Sequence, residues 1–329
     1  MIVLGIETSC DETSVAIVKD GHEVLSEITY SQIATHKAFG GVVPEIAARE
    51  HFLSIDKVIN ESINQAISLH PDFNWKKIDR IAVVNGPGLV SSLLVGITAA
   101  KTLSWALDIE LVSVNHLQAH ICANYLIDKT EPPFVCLLAS GGHTQLLFVE
   151  DYSKQKLLGQ TLDDSAGEAF DKVGRMLGLD YPGGPAIEKL ALEGNKSAFT
   201  LPRAQVGEFD FSFSGLKTAV MRLIASLPPD FSRADLATSF QDVVCQELAN
   251  KLVKAAHKYN CKKIVIAGGV ASNQNLRQII QEKSEGKIEL KAPQLKYCTD
   301  NGAMVAAAGF LCPDEFGLGF DVYSRNKHR

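Results

Sequence analysis

The chain of 329 residues reads as an α/β protein of two similar lobes with a cleft between them, and three observations predict this. Short β-branched apolar runs alternate with longer segments whose apolar residues recur at helical spacing. A run, a polar turn and a returning run occur at the start of the chain and again after Pro132 and Pro133. Each half later holds a strand that ends in glycine and leads into a helix, so the plan repeats in order rather than in letters.

Ile2–Ile6 and Ser14–Val18 flank the polar stretch Glu7–Thr13, which makes a hairpin. Gly21 turns the chain into a third strand over Glu23–Ser31. A glycine-containing loop, Thr35–Pro44, follows, and Pro44 suits the first turn of a helix running over Glu45–Leu69. Ile81–Val84 is a buried-type strand that passes through Asn85–Gly88 into a small-residue helix, Ser91–Ala106; Leu111–Val114 is the next strand. Beyond the Pro132–Pro133 hinge come the strand Phe134–Ala139, the turn Ser140–Thr144 and the returning strand Gln145–Val149. Lys263–Ala267 then ends in Gly268 and Gly269, and Asn273 opens a helix through Ile280. The expected organisation is a first lobe over 1–131, a second over 132–300 with a helical insertion at 151–229, and a C-terminal helix at 301–329 that packs back near the first lobe.

A formal net charge of −6 excludes a bulk basic field of the kind that draws nucleic acid. Contact with nucleic acid therefore needs a partner or a local patch such as Lys251, Lys254, Lys258, Lys262 and Lys263. Seven scattered cysteines without a C-x-x-C pair fit reduced thiols rather than a disulfide frame or a zinc ribbon. The first residues lead straight into a strand, so no signal peptide is expected. Apolar runs such as Leu137–Ala139 and Ile264–Ala267 are too short to cross a bilayer. The expectation is a cytoplasmic protein with no membrane contact.

The chemistry starts at Leu111–His120, LVSVNHLQAH. His116 and His120 stand four apart after a strand, so on a helix both imidazoles project from one face and can share a metal ion. A histidine pair at this spacing is also commonplace on ordinary helices. The turns Glu7–Thr13 and Ser140–Thr144 can each cradle phosphate oxygens with backbone N–H groups, and glycine allows close approach. Asp11 and Glu12 add carboxylates to the first turn. Glu168 and Asp171 lie within one helical turn of each other and can take ribose hydroxyls, or simply enrich a helix N-terminus in acids. Tyr181–Pro185 is a rigid turn in which Gly184 permits a flat purine or ribose to approach. Phe209, Phe211 and Phe213 alternate onto one strand face, where core packing is the ordinary use and base stacking the functional one. Asp300 precedes a small-residue helix and needs no function as an N-cap. As a third ligand it would complete a two-histidine, one-carboxylate set suited to iron(II) or zinc, with iron(II) preferred.

The motifs GIETSCDET at Gly5, THKAFGGVVPE at Thr35, NHLQAH at Asn115, SGGHT at Ser140, GEAFDKVGRMLGLDYPGGP at Gly167, FSFSGLKTA at Phe211, AGGVASN at Ala267 and CTDNGAM at Cys298 occur in this order. Together they make the chain resemble, nearly end to end, the TsaD family of tRNA N6-adenosine threonylcarbamoyltransferases. Phe39 stands where tyrosine is expected, and the tail after Gly309 carries no matching motif.

The resemblance implies two actin-like, ribonuclease H-like lobes with a nucleotide and metal cleft between them. It implies metal ligands at His116, His120 and Asp300, holding iron(II), with zinc(II) as the other candidate. Ala139, Ser140, Gly141, Gly142 and His143 match the loop for the substrate's phosphate and carbamoyl end. Asp171, Gly184 and Glu188 match the ribose and adenine segment, and Asn273 an adenosine contact. Asp11 and Glu12 match acidic residues needed for activity, with general base as the candidate role. The implied reaction moves a threonylcarbamoyl group from threonylcarbamoyl-AMP to N6 of adenosine 37 in tRNAs reading codons that begin with A; ATP is the other candidate nucleotide. Implied partners are the tRNA, a paralogous TsaB-type subunit, a TsaE-type ATPase and an upstream synthase that makes the adenylate. An ATPase or small-molecule kinase on the same fold is the first alternative. A metallopeptidase is the second, and there Leu117 stands where an H-E-x-x-H enzyme carries its glutamate base.

Overall fold

Two five-stranded sheets organise the chain, and both follow one strand order. The computed structural model describes residues 1–325 and divides into two units, Met1–Glu131 with the chain from Pro293 on, and Pro132–Ala292.

In the first unit β1 (Ile2–Glu7), β2 (Glu12–Lys19) and β3 (Glu23–Ser31) form an antiparallel meander. Strands β4 (Arg80–Gly86) and β5 (Glu110–Asn115) add in parallel on the other side of β1. Alternation along β1 sends Leu4 and Ile6 to one face of the sheet and Val3, Gly5 and Glu7 to the other. After the short α1 (Ile33–Lys37) come two long helices, α2 (Pro44–Leu69), with Pro44 in its first turn as expected, and α3 (Val90–Leu107). Ile55, Val58, Ile59 and Ile63 of α2 and Ile97 and Ala100 of α3 join Leu4, Ile6, Ile81 and Val83 in one core. A branched side chain fully buried in this way contributes about 1.5–3 kcal/mol.

Helix α3, with 18 residues, is long and apolar enough to cross a membrane by length and composition alone. One stripe of it, with Leu93, Ile97, Ala100 and Ser104, is buried in the unit. From β5 the chain enters α4 (His116–Cys122) directly, followed by the single-turn α5 (Tyr125–Asp128).

The second unit repeats the plan. Its meander is β6 (Phe134–Ala139), β7 (Thr144–Asp151) and β8 (Lys154–Gln160), with β9 (Lys263–Ala267) and β10 (Glu289–Lys291) parallel beyond β6. The stretch 151–229 was expected to be helical, yet it opens with β8, because the third meander strand needs those residues. Its helices are α6 (Ala166–Met176), α7 (Gly183–Ala191) and α8 (Ser214–Ser226). The long α9 (Arg233–Lys258) packs against α7 and α10 (Gln274–Ser284), burying Leu236, Phe240, Val244, Leu248 and Leu252. Phe209, Phe211 and Phe213 are buried, so core packing is their use, although they lie in irregular chain with one bridge from Phe211 to Thr161 rather than in a strand.

The second unit ends at Ala292 rather than at 300, and residues from Pro293 return to the first unit, so Asp300 belongs with His116 and His120. Helix α11 (Gly302–Leu311) covers the sheet face opposite α2 and α3. The fit is close: a Cβ at Gly5 would lie 2.2 Å from the Gly302 carbonyl oxygen. The helix expected over 301–329 stops at Leu311, since Pro313 removes a donor and disfavours helix at Cys312. The tail instead runs extended beside β5. Ser113 N–H donates to Glu315 O at 2.8 Å, Gly317 N–H to Leu111 O at 2.9 Å, and Val112 bridges Phe316. This covers the free edge of β5. Further on, Tyr323 N–H donates to Asn85 O at 3.0 Å. The last residues of the expected helix, 326–329, lie outside the described residues.

Candidate functional site

Helix α4 begins where β5 stops because Asn115 caps it. Its side-chain oxygen accepts from the N–H groups of Leu117 (2.9 Å) and Gln118 (3.2 Å), and its Nδ2 donates to the Tyr323 hydroxyl at 2.9 Å. His116 and His120 therefore sit one turn apart, ring centroids 4.7 Å from each other. Asp300 comes to them from the loop before α11. The N-cap of that helix is Asn301, which accepts from Met304 N–H at 2.8 Å, so Asp300 is released from the capping role open to it in the sequence. Asp300 Oδ1 lies 3.1 Å from His120 Nε2 and 3.6 Å from His116 Nε2.

One donor atom from each of the three side chains falls within 4.8 Å of the others. Two imidazoles and a carboxylate so disposed fit a divalent transition metal and leave coordination positions open. Nδ1 of His120 is buried and has no hydrogen-bond partner among the described residues. Burial works against charge on His116, but the carboxylates of Asp300 and Glu7 outweigh it and raise its pKa to about 9. Asp300 answers in kind: burial favours its neutral form, yet His116 and His120 hold its pKa down at about 2. Without metal these groups form an ion pair.

The turn between β1 and β2 crowds carboxylates into the same unit. Asp11 is 7 % exposed. Burial, together with the charges of Asp300 and Asp11, raises the Glu12 carboxyl well above the ordinary carboxylate range. Glu12 is thus a carboxyl whose protonated form is favoured by its surroundings, a perturbation of the kind found at functional sites. Two residues of this turn escaped the sequence reading. Glu7 is fully buried, with Oε2 3.2 Å from His116 Nδ1, and Ser9 Oγ lies 3.1 Å from the same nitrogen. The signal for Glu7 was parity: as the end of β1 it shares the face of Gly5, the face that carries α11.

In the second unit the Ser140–Thr144 turn is closed by Ser140 N–H donating to His143 O (2.8 Å) and His143 N–H to Ser140 Oγ (3.2 Å). Ser165 Oγ, capping α6, also donates to Gly141 O at 2.7 Å. Gly141 and Gly142 are exposed, and a Cβ at either would meet nothing within 4 Å. Their backbone is open to a ligand, as is that of Gly184 at the start of α7. Ala139 is buried under this turn as the last residue of β6. The polar side chains assigned to substrate hold helix ends together. Asp171 accepts from Gly183 N–H at 2.7 Å and Glu188 from Gln274 N–H at 2.6 Å. Asn273 caps α10 through Leu276 N–H at 2.9 Å, donates to Gln241 at 2.9 Å, and is 5 % exposed.

The lysine patch is partly neutralised. Lys251 pairs with Glu247, while Lys254 and Lys258 both pair with Glu208, and all three ammonium groups lie over Phe209 or Phe211.

A doubled sheet of one strand order, with a two-histidine, one-carboxylate group in its first unit that could hold a metal ion, defines a protein of the actin-like fold class. Solved structures share that fold. HypF from T. kodakarensis superposes with a TM-score of 0.62 at 16% identity, covering 94% of this chain and 47% of that one. Component A of (R)-2-hydroxyglutaryl-CoA dehydratase from Acidaminococcus fermentans gives 0.55 at 14%, covering 94% and 98%. In sequence, residues 23–307 match the TsaD family, tRNA N6-adenosine threonylcarbamoyltransferase. A protein of that name from Caldicellulosiruptor saccharolyticus is 50% identical over 316 residues, 94% of this chain and 93% of its own. Another from Bacillus subtilis is 49% identical over 319 residues, 94% and 90%. The chain belongs to the TsaD family, and as a member it is a transferase of tRNA modification.

Proposed function

We propose that this chain transfers the threonylcarbamoyl group of threonylcarbamoyl-AMP to N6 of adenosine 37 in tRNAs that read codons beginning with A. The observation that carries the reading is the joint presence, in a chain of this family, of the His116, His120 and Asp300 donor set and the open Gly141–Gly142 backbone. In the reaction the N6 amine attacks the carbamoyl carbon, the carbon–oxygen bond to phosphate breaks, and AMP leaves. The acyl-phosphate is already activated, so the residues mainly position it and stabilise charge. Backbone N–H groups of the Ser140–His143 turn donate to phosphate or carbonyl oxygen. Glu12, whose carboxyl is shifted toward holding a proton by burial and by the charges of Asp300 and Asp11, takes the proton that N6 loses, with Asp11 beside it. Asp171, Gly184, Glu188 and Asn273 shape the nucleoside site, the acidic and amide side chains by fixing the helix ends that form its walls. His116, His120 and Asp300 would hold iron(II), or zinc(II) in its place, which supplies Lewis-acid polarisation of an acyl-phosphate oxygen.

A net charge of −6 and a lysine patch tied to Glu208 support the view that positive surface for tRNA comes from partners. The partners proposed are a TsaB-type subunit and a TsaE-type ATPase, with an upstream synthase supplying the adenylate, all in the cytoplasm. Incubating the protein and these partners with threonylcarbamoyl-AMP and tRNA should yield the modified adenosine in digested tRNA. Absence of the modified nucleoside alongside tRNA-independent ATP turnover would replace this reading by the ATPase one. Cleavage of a glycoprotein by the metal-loaded protein would replace it by the peptidase one.

A further inference from the structure

Three features of the β1–β2 turn converge on one imidazole nitrogen. Glu7 Oε2 lies 3.2 Å from His116 Nδ1, and Ser9 Oγ lies 3.1 Å from it. Glu7 is itself fixed, fully buried at the end of β1, with Oε1 accepting from Ser9 N–H. The far nitrogen of the ring, Nε2, faces Asp300 Oδ1 at 3.6 Å. An ionised carboxylate only accepts hydrogen bonds, so its partner Nδ1 must carry the proton and Nε2 must present the lone pair when the ring is neutral. His120 has no such support, since its Nδ1 is buried without a partner among the described residues. The two histidines are thus unequal: His116 is held at Nδ1 by the β1–β2 turn, whereas His120 is met at Nε2 by Asp300 and at Nδ1 by none of the described residues.

We propose that Glu7, through its hydrogen bond to Nδ1 of His116, is the positioning carboxylate of the metal centre, holding His116 as the pre-oriented ligand with Nε2 toward Asp300. Ser9 assists by donating its N–H to the other carboxylate oxygen, which keeps the Glu7 side chain from rotating away. The inference rests on the reading of His116, His120 and Asp300 as metal ligands. Carboxylates hydrogen-bonded to ligating histidines fix their tautomer and orientation, and their loss weakens metal affinity by roughly 10–100-fold.

The test uses the full chain with zinc(II) as probe, its affinity measured by competition with a chromophoric chelator. The parent should bind zinc, and His120→Ala should weaken binding severely. Glu7→Gln, nearly isosteric, should keep a cooperative thermal transition in the metal-free state and weaken zinc binding by roughly 10–100-fold. Should that variant not fold, the unmutated chain decides. In its cadmium-113 form, nitrogen-15 spectra should show metal coupling at Nε2 of His116 and a retained proton on Nδ1. Metal coupling at Nδ1, or a folded Glu7→Gln chain that binds zinc as tightly as the parent, would overturn the proposal. If the parent binds no zinc, or binds it unchanged after His120→Ala, the metal-site reading fails first, and the Glu7 comparison is not what reveals it.

Discussion

The two hairpin turns occupy the same place in the same topology, one after the first strand of each sheet, and they are chemically opposite. The turn after β1 is buried and charged: Thr8, Ser9 and Asp11 are 1, 2 and 7 % exposed, and Glu7, Asp11 and Glu12 crowd three carboxyl groups toward His116 and Asp300. The turn after β6 is open and uncharged, with Gly141 and Gly142 exposed and empty space where side chains would be. A repeated fold therefore provides two equivalent positions and leaves their chemistry to a handful of side chains. One position is lined with buried carboxyl groups, the other with exposed glycine backbone.

The sharpest break of this contrast is Asp300→Ala, which removes the only carboxylate in the donor set. It should abolish stoichiometric zinc or iron(II) binding by equilibrium dialysis and bring threonylcarbamoyl transfer to the detection limit. Next comes Glu12→Gln, expected to slow single-turnover transfer by about 100-fold or more, the usual worth of a general base, with metal affinity little changed. An unchanged rate would remove Glu12 from that role.

Third is Gly5→Ala, beside the charged turn. The added Cβ would meet the Gly302 oxygen and the Ala306 nitrogen at 2.2 and 2.5 Å, both backbone atoms that cannot swing aside. A loss of about 3 kcal/mol in denaturant unfolding is expected.

Fourth, the metal-free protein should be pH-sensitive through the ion pair. His116 is raised from 6.5 to about 9, so its contribution is whole below pH 6.5 and lost as pH climbs through 9. Asp300 is lowered from 3.8 to about 2, so its contribution holds above 3.8 and is lost as pH falls through 2. The pair thus stabilises most between about pH 4 and 6.5, and about 2 kcal/mol should vanish by pH 10 in pH-dependent urea melts. Smallest of all is the effect of Gly142→Ala on stability, within about 0.5 kcal/mol because the site is open. The same variant should still weaken donor binding several-fold in calorimetry, which would place the glycine's value in the ligand rather than in the fold.

Much of this architecture was legible in the sequence because the hairpins and the strand–glycine–helix units are local patterns that recur in order. His116 and His120 were legible too, as a helical pair behind a strand. Asp300 was not, except through resemblance to a family, because it meets them only after α11 has crossed the sheet, and no local periodicity encodes that crossing. Glu7 was hidden in a stretch read as turn, although β1 extends to include it and strand parity then decides its face. The helix expected over 301–329 failed at Pro313, where a local signal was present and outweighed by the apolar composition before it. For Asp171, Glu188 and Asn273 the motif showed where they lie but not what they hold. A helix-capping bond depends on which segment arrives at which helix end, and that is settled only in three dimensions.

The return of the chain to its first unit sets a schedule for synthesis on the ribosome. Strands β1 to β5 are complete once residue 115 has emerged, but the face lined by Val3, Gly5, Ala82 and Val112 waits for α11, at residues 302–311. Until then that apolar surface stands uncovered while the whole second unit is translated. Asp300 arrives with that helix. The two histidines therefore wait through almost all of translation for their carboxylate, and the three-residue group is complete only once residue 300 has emerged.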